Sequence, residues 1–369
     1  MMQLLKMKRF WAVLLIPFTM ILLWAAEGRS DLVERFYSRA IYPVLAGIFG
    51  RVFGVFPFSV AEFVVVVVII LSVYFLARFI RRIYIHKENR KKLLTVFVAN
   101  LCCILGVGLF AFAITSGLNY QRISFAEQSG FDVRPSPVEE LVALSIELAE
   151  SANAARQMVA EDERGVMRLS APGYHALALE AQELFGDATQ RYPNLGDGYV
   201  PRPKPMIFSR AMSWMNIGGV YFPFTFEANV NVDKPHYSIP ATMMHELAHF
   251  RGFMREDEAN FLAYLTSRDS GNPDFVYSGY MMALIHTTNA LFSVDRNAYW
   301  DVIGKLYDGV LRDMTASSEY WRQFEGPAAT VAVMVNDAYL RANNQASGVR
   351  SYGEMVDLLL AERRARPPS

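Results

Sequence analysis

Three long apolar runs constrain the fold of this chain more than any other feature of its sequence. They cover about residues 10–26, 60–80 and 93–116 of the 369. A helix needs about 20 apolar residues to cross the roughly 30 Å hydrocarbon core of a bilayer, and each run approaches that length. The sequence therefore predicts a membrane region over residues 1–120, with three transmembrane helices and the lipid bilayer as a partner.

The first run has a second interpretation. Its basic start and its apolar stretch also fit a cleaved signal peptide. We favour an uncleaved anchor, because two further runs follow and residues 24–27 form a mediocre cleavage site. The sequence alone leaves the question of cleavage open.

Basic residues beside the runs indicate the orientation of the chain. One set precedes the first run and consists of Lys6, Lys8 and Arg9. The other set fills the link between the second and third runs and consists of Arg78, Arg81, Arg82, Lys87, Arg90, Lys91 and Lys92. Under the positive-inside rule both sets stay in the cytoplasm. We therefore expect a multi-pass membrane protein with a cytoplasmic N-terminus and an extracytoplasmic domain after residue 120.

The link between the first and second runs, residues 27–59, combines mixed charge with aromatic and apolar residues. This composition fits an amphipathic helix that lies in the outer membrane interface. It fits an ordinary packed loop equally well, and both interpretations remain open.

The outer domain, residues 121–369, differs in character from the membrane region. Acidic residues appear, and helical periodicity replaces continuous apolarity. Only residues 205–232 resemble strands. The predicted fold is therefore mainly α, with three transmembrane helices followed by a mostly helical α+β domain that contains a small sheet.

Part of the strand-like stretch is a candidate substrate contact. Residues 219–232 form either an edge strand that pairs with an extended substrate backbone or an interior hairpin strand. Glu227 in this stretch is either a substrate contact or a surface charge, and we favour the surface charge.

The charge balance and the cysteines exclude two classes of protein. Lysine and arginine number 36, as do aspartate and glutamate. A nucleic-acid-binding protein usually has a basic excess, so no nucleic-acid partner is predicted. The two cysteines, Cys102 and Cys103, are adjacent and lie in an apolar run, so no disulfide framework is predicted.

The motif His245-Glu246-Leu-Ala-His249 carries the predicted chemistry. Ser238 can cap the helix that contains it, and Pro240 suits the first turn. The two histidines are one turn apart on the same face, so their imidazoles can hold one Zn²⁺. Glu246 can take a proton from a zinc-activated water that attacks a carbonyl, and can then deliver that proton to the leaving amine. The sequence thus predicts Glu246 as a general base.

A catalytic zinc site needs a third protein ligand and one open position. Gly252 can end the motif helix, and the next helix offers Glu256 and Glu258. Glu256 would be followed one turn later by Asn260, whose amide could hold the other ring nitrogen of a histidine. Glu258 is the alternative ligand, and the spacing excludes neither; we favour Glu256. Both glutamates could also be ordinary carboxylates at a helix N-terminus.

Three further residues are candidate donors to the oxyanion of a tetrahedral intermediate. They are Tyr280, His286 and His236. Tyr280 and His286 belong to an amphipathic helix, where a single tyrosine or histidine is more often a core residue.

The motif and its surroundings resemble an uncharacterised bacterial family, the domain of unknown function 3810. The resemblance includes residues 245–249, the turn at Gly252 and residues 256–264, and it extends over most of the chain. It implies a zincin-like fold and a place in the bacterial cell membrane. Residues 256–260 are also similar to the E-x-x-A-D ligand segment of membrane-anchored gluzincin peptidases, which implies Glu256 as the ligand. Here Asn260 replaces the aspartate.

We therefore expect a membrane-anchored zinc metallopeptidase that acts on peptides or proteins outside the membrane. The alternative is a non-catalytic membrane sensor or scaffold with a structural or vestigial zinc site. An intramembrane protease does not fit, because charged residues such as Asp233, Lys234 and Arg251 surround the motif. The sequence names neither the substrate nor the oligomeric state.

Overall fold

The computed structural model describes residues 8–343, 345 and 351–366. Lys6, one of the basic residues used to orient the chain, lies outside the described residues. The described chain is mainly helical, as predicted, and it contains two small sheets where one was expected.

The N-terminal segment is a helix with a sharp bend. A 3₁₀ stretch at Lys8–Leu14 continues as α1 (Leu15–Ala26). The chain then bends and runs as one helical segment through Ser30–Leu32, a π-helical stretch at Val33–Ile41 and α2 (Tyr42–Gly54). The two parts meet at 107°, and they count as a third membrane crossing only if the bent pair is one span. The link at residues 27–59 is therefore helical rather than a loop.

Two helices are long and apolar enough to cross a membrane. They are α3 (Val60–Ile85) and the helix that follows a 3₁₀ turn at Lys87–Asn89, α4 (Arg90–Thr115). The apolar side chains of α3 are almost all exposed, as expected of a helix that faces lipid. The second and third predicted spans are thus confirmed as helices that could cross a membrane.

The outer domain is built mostly from helices. Before its main sheet lie α5 (Phe125–Gln128), α6 (Val138–Arg156), the paired strands β1 (Ala160–Glu161) and β2 (Met167–Arg168), and α7 (Tyr174–Arg191). After it lie α9 (Ile239–Phe250), α10 (Glu256–Arg268), α11 (Pro273–Val294), α12 (Arg296–Ile303), α13 (Asp308–Arg322), α14 (Pro327–Ala342) and α15 (Ser351–Ala365). A further short helix, α8 (Ser209–Trp214), lies in the chain between two strands of the main sheet.

The main sheet has three strands in the order β3–β5–β4. They are β3 (Lys204–Pro205), β4 (Gly219–Phe222) and β5 (Glu227–Val230). The central strand β5 is parallel to β3 and antiparallel to β4. The stretch 219–232 thus contains both predicted alternatives, because β4 is at one edge of this sheet and β5 is its interior strand.

Helix α9 lies at the centre of the outer domain. All twelve of its residues are buried, although the helix contains two histidines and a glutamate. It packs against β4 and β5 on one side and against α10 and α11 on the other. A helix that is enclosed all round holds its polar side chains in fixed positions.

Contacts join the membrane region to the outer domain across residue 120. The guanidinium of Arg122 forms two hydrogen bonds with the buried carboxylate of Glu34. Glu227 on β5 is 2% exposed, and its carboxylate accepts hydrogen bonds from the backbone N–H groups of Val60 and Ala61 at the start of α3. The interpretation of Glu227 as a surface charge is therefore wrong. The predicted division of the chain at residue 120 stays a prediction.

Candidate metal centre

The start of α9 is fixed by the neighbouring helix rather than by its own cap. The hydroxyl of Ser238 donates to the carbonyl of Pro235 and does not cap the helix, contrary to the expectation. Instead, the backbone N–H of Ala241 donates to the hydroxyl of Ser278 on α11, at 2.9 Å. One of the free N–H groups of the first turn is thus satisfied from α11, which fixes α9 relative to that helix.

The end of α9 is a turn that positions one of the histidines. Gly252 has φ +85°, its N–H donates to the carbonyl of His249, and the N–H of Phe253 donates to the carbonyl of Ala248. This pattern is a Schellman motif, which needs a residue with positive φ. The turn also brings the carbonyl of Phe253 to 2.8 Å from Nδ1 of His249. That carbonyl can only accept, so Nδ1 carries a proton, and Nε2 is the ring nitrogen that a metal ion would bind once it loses its own proton.

Glu256, at the start of α10, faces both histidines. Its Oε2 lies 3.2 Å from Nε2 of His245, and its Oε1 lies 3.7 Å from Nε2 of His249. The three side chains offer ligand atoms that all lie within 4.8 Å of one another. The structure thus brings together three of the residues that the sequence selected.

The electrostatics of these residues favour positive charge between them. Burial alone would lower the pKa of His249, but the carboxylate of Glu256 outweighs it and raises that pKa to about 9. Burial alone would raise the pKa of Glu256, but the imidazoles of His249 and His245 hold it well below its usual range. The carboxylate and the two rings therefore form a site suited to a cation.

Two of the spacings in this group, measured from the two carboxylate oxygens of Glu256, are close to those of a zinc site. Ligand nitrogen and oxygen atoms about 2.0–2.1 Å from a tetrahedral Zn²⁺ are roughly 3.3 Å apart. The two separations from Glu256, 3.2 and 3.7 Å, lie close to that value. Two imidazoles and a carboxylate are also a donor set that zinc accepts.

Glu258 points elsewhere. It accepts a hydrogen bond from the backbone N–H of Phe125 and lies 3.6 Å from the guanidinium of Arg255. Of the two candidate third ligands, only Glu256 belongs to the group of convergent ligand atoms.

Glu246 lies beside the ligand group and against the edge strand. A Cβ on Gly219 would lie only 2.3 Å from Oε1 of Glu246, so the carboxylate touches the backbone of β4. Its other oxygen, Oε2, is buried and has no hydrogen-bond partner in the described part of the chain. Burial raises the pKa of Glu246 and outweighs the opposing effect of the two histidines. A buried oxygen without a donor is unusual and marks a place where a polar molecule can bind.

Two neighbours of Glu246 were not selected from the sequence. Lys234 is buried, and its ammonium donates to the hydroxyl of Thr242, one turn before Glu246 on α9. Burial lowers the pKa of Lys234 to about 7, although Glu246 opposes this effect. The sequence indicates Gly219 only as the first residue of the candidate substrate strand. A lysine before a helix and a glycine in a strand are both common, so no local signal identifies them.

The remaining predicted residues are not members of the ligand group. Burial lowers the pKa of His286 to about 4, with a further contribution from His245. Tyr280 packs against Tyr264 with 6.0 Å between ring centroids. His236 lies against Tyr174, with the hydroxyl 3.5 Å from Nε2. The roles proposed for these donors stay predictions.

The amide of Asn260 does not reach a histidine through a hydrogen bond. Its nitrogen is buried and has no partner among the residues that the structure describes, and neither has Nδ1 of His245. The ring nitrogen of His249 that faces away from Glu256 is held by Phe253 instead. The supporting role of Asn260 therefore stays a prediction.

Comparison with known proteins places the chain in a family. No curated protein and no solved structure matches it. One family does match, over residues 37–360, and this region includes both α2 and the candidate metal centre. Because the match covers most of the chain, the protein belongs to the family described as protein of unknown function (DUF3810).

Proposed function

We propose that this chain is a membrane-anchored zinc metallopeptidase that hydrolyses peptide bonds outside the bacterial cell membrane. One observation carries the proposal. The ligand atoms of His245, His249 and Glu256 converge within 4.8 Å, and the carboxylate of Glu246 lies beside them with an unpaired buried oxygen.

The three convergent residues would hold the ion through the two imidazole Nε2 atoms and the carboxylate of Glu256. When bound there, Zn²⁺ supplies Lewis acidity that polarises a carbonyl and lowers the pKa of a water. Among the described residues the set has three protein ligands, one short of the four that close a structural site. This count favours a catalytic site over the structural one of the alternative hypothesis.

Glu246 has the surroundings of a general base. Burial raises its pKa toward neutral pH, which makes its carboxylate a stronger proton acceptor. Its free Oε2 can accept the proton of an attacking water, and the same oxygen can then give that proton to the departing amine. Lys234 lies close enough to interact electrostatically with Glu246, and its charge favours the ionised form of the base.

The edge strand β4 offers a place for the substrate backbone. One side of β4 pairs with β5, and no strand of the described residues pairs with the other side. An extended peptide can add to such an edge through main-chain hydrogen bonds. Because Gly219 of β4 touches Glu246, a peptide bound along this edge would pass the proposed base.

The test compares two isosteric changes in the full chain purified in detergent or nanodiscs. Glu246→Gln should keep its zinc and lose about 10²–10⁴-fold in the cleavage rate of an unfolded, fluorescently labelled protein. Glu256→Gln should lose zinc as well as activity. A chelator should inhibit the natural chain, and added zinc should restore it. Unchanged proteolysis by Glu246→Gln would exclude the mechanism, whereas bound zinc with no proteolysis by the natural chain would favour the sensor or scaffold.

A further inference from the structure

Helix α2 and its two flanking residues carry an uncovered apolar stripe. The stripe consists of Ile41, Val44, Ile48, Val52 and Val55, which are between 52% and 73% exposed. Their spacing of three and four residues places them on one face of the helix. The charged residue of α2, Arg51, donates to the carbonyl of Gly47 and lies over the ring of Tyr199. A continuous apolar face of this kind marks a surface that contacts a partner or a membrane.

The opposite face of α2 packs on the helix of the candidate metal centre. The hydroxyl of Tyr42 lies 3.1 Å from the carbonyl of Phe250 and 3.3 Å from that of His249. A Cβ on Gly50 would lie 3.0 Å from the ring of Phe250, so the two helices are in direct contact. Helices packed in this way have axes about 8–10 Å apart. The stripe is thus separated from α9 by the thickness of one helix.

The first segment, the 3₁₀ stretch with α1, lies beside a long apolar helix, and we take this segment, without α2, as the crossing part of the bent pair. Its apolar part, Trp11–Ala26, rises about 26 Å, a little less than the thickness of the hydrocarbon core. The segment lies along α4, where a Cβ on Gly106 would be 2.5 Å from the carbonyl oxygen of Ala12. A small residue at a close helix crossing is typical of packing within membranes. The first segment therefore runs beside a spanning helix, at membrane depth.

The bend then directs α2 along the membrane surface. The segment Ser30–Gly54 turns by 107° from the first segment. A helix at nearly a right angle to a crossing helix lies close to the plane of the membrane. The next crossing helix, α3, begins at Val60, and its first turn is fastened to Glu227 of the main sheet. The stripe thus lies between the ends of two crossing helices, at the level where the bilayer surface begins.

We infer that the stripe is embedded at the boundary between headgroups and acyl chains, so that the candidate metal centre lies one helix layer above the bilayer. This position is that of an interfacial amphipathic helix, whose apolar face is buried in the outer part of the membrane. The position of the stripe also defines the substrate class, and this second step rests on the proposed function. The substrates are polypeptide segments held at the membrane surface by their own anchor or transmembrane helix.

The position of the stripe can be measured without any activity. Ile48→Cys is made in a full chain whose Cys102 and Cys103 are replaced by serine, labelled with an environment-sensitive fluorophore and placed in phosphatidylglycerol and phosphatidylcholine nanodiscs. The matched control is Met158→Cys, because Met158 is apolar and 59% exposed at the end of α6. Lipids with a quencher near the headgroup should reduce the emission from residue 48 at least threefold and leave residue 158 unchanged.

Two results would overturn the inferred position. If the quencher changes the emission from residue 48 no more than that from residue 158, the stripe does not touch lipid. Efficient cross-linking of Ile48→Cys to a second copy, without quenching, would assign the stripe to a protein interface instead.

The substrate class is tested with one unfolded peptide in three forms. The peptide is free, or joined to a transmembrane anchor in the same nanodisc by a linker of about 5 or about 40 residues. The short linker reaches at most about 18 Å, so it presents the peptide only to a site near the membrane. We expect both anchored forms to be cleaved at least tenfold faster than the free form.

The outcomes separate this inference from the proposed function. Cleavage of the long-linker form alone, or equal rates for all three forms, would overturn the membrane-surface substrate class while the peptidase activity stands. No cleavage of any form, with clear quenching at residue 48, would contradict the proposed function and with it the substrate class, while the lipid contact stands.

Discussion

Replacing Gly219 by alanine should disable the proposed base without touching the proposed metal ligands. The added Cβ would lie 2.3 Å from Oε1 of Glu246, and contacts under 3.0 Å essentially never occur for a real Cβ. The carboxylate must therefore retreat by at least 0.7 Å, or the edge strand must move away. Since a misplacement of about 1 Å can cost roughly 10²-fold in rate, we expect a loss of about that size in kcat/KM. Such overpacking also destabilises a protein by about 1–3 kcal/mol.

The assay combines three measurements on the full chain. Cleavage of a labelled unfolded protein gives the rate, metal analysis gives the zinc content, and thermal unfolding shows that the variant is folded. The control is Gly186→Ala in α7, whose Cβ would meet no atom within 4 Å. Wild-type turnover by a folded Gly219→Ala protein would refute the argument that Glu246 acts from its position against β4.

Three further predictions concern the ligand set, the base and the attachment to the membrane helix. Glu256→Gln should weaken zinc binding by at least about 100-fold in metal titrations, and Glu258→Gln should leave the zinc affinity unchanged. If only Glu258→Gln weakens zinc binding, Glu258 is the ligand and Glu256 is not. Lys234→Met removes a cation that lowers the pKa of the proposed base Glu246, so the acidic limb of the pH profile of kcat/KM should move to higher pH. Lys234→Arg keeps the cation and should leave the limb in place. An unchanged limb in Lys234→Met would contradict the electrostatic role of Lys234. Glu227→Gln weakens the charge-assisted hydrogen bonds to the first turn of α3, so it should lower the free energy of unfolding by about 2–3 kcal/mol and lower Tm. The control is Glu139→Gln at the exposed start of α6, which should lower the free energy of unfolding by less than about 1 kcal/mol. Equal melting temperatures for the two variants would exclude the attachment.

Much of the candidate metal centre could be predicted because its determinants are local. His245 and His249 share a face of α9 through helical periodicity alone, and Gly252 ends that helix because the turn needs positive φ. The apolar runs likewise predicted α3 and α4 through their length. These features depend on neighbours within a few residues, so the sequence carries them directly.

The choice between the two glutamates needed the tertiary structure. Residues two apart on a helix differ by about 200° in direction, so Glu256 and Glu258 cannot face the same partner. Which of them faces the histidines depends on the rotation of α10 against α9, and that rotation is fixed by packing. The result is Glu256 beside His245, with Glu258 turned to the backbone of Phe125.

The sequence by itself determined the two helices that are long and apolar enough to cross a membrane, the helix that carries the histidines and the turn that ends it, because periodicity, length and backbone conformation act over short distances. Only the tertiary structure decided the environment of Glu246 and the attachment of the domain to its membrane helices. Tyr42 meets the carbonyl of His249 across 207 positions of the chain, and Glu227 meets Val60 across 167. Such pairs depend on how whole elements pack, and neither residue has a neighbour in sequence that indicates its partner.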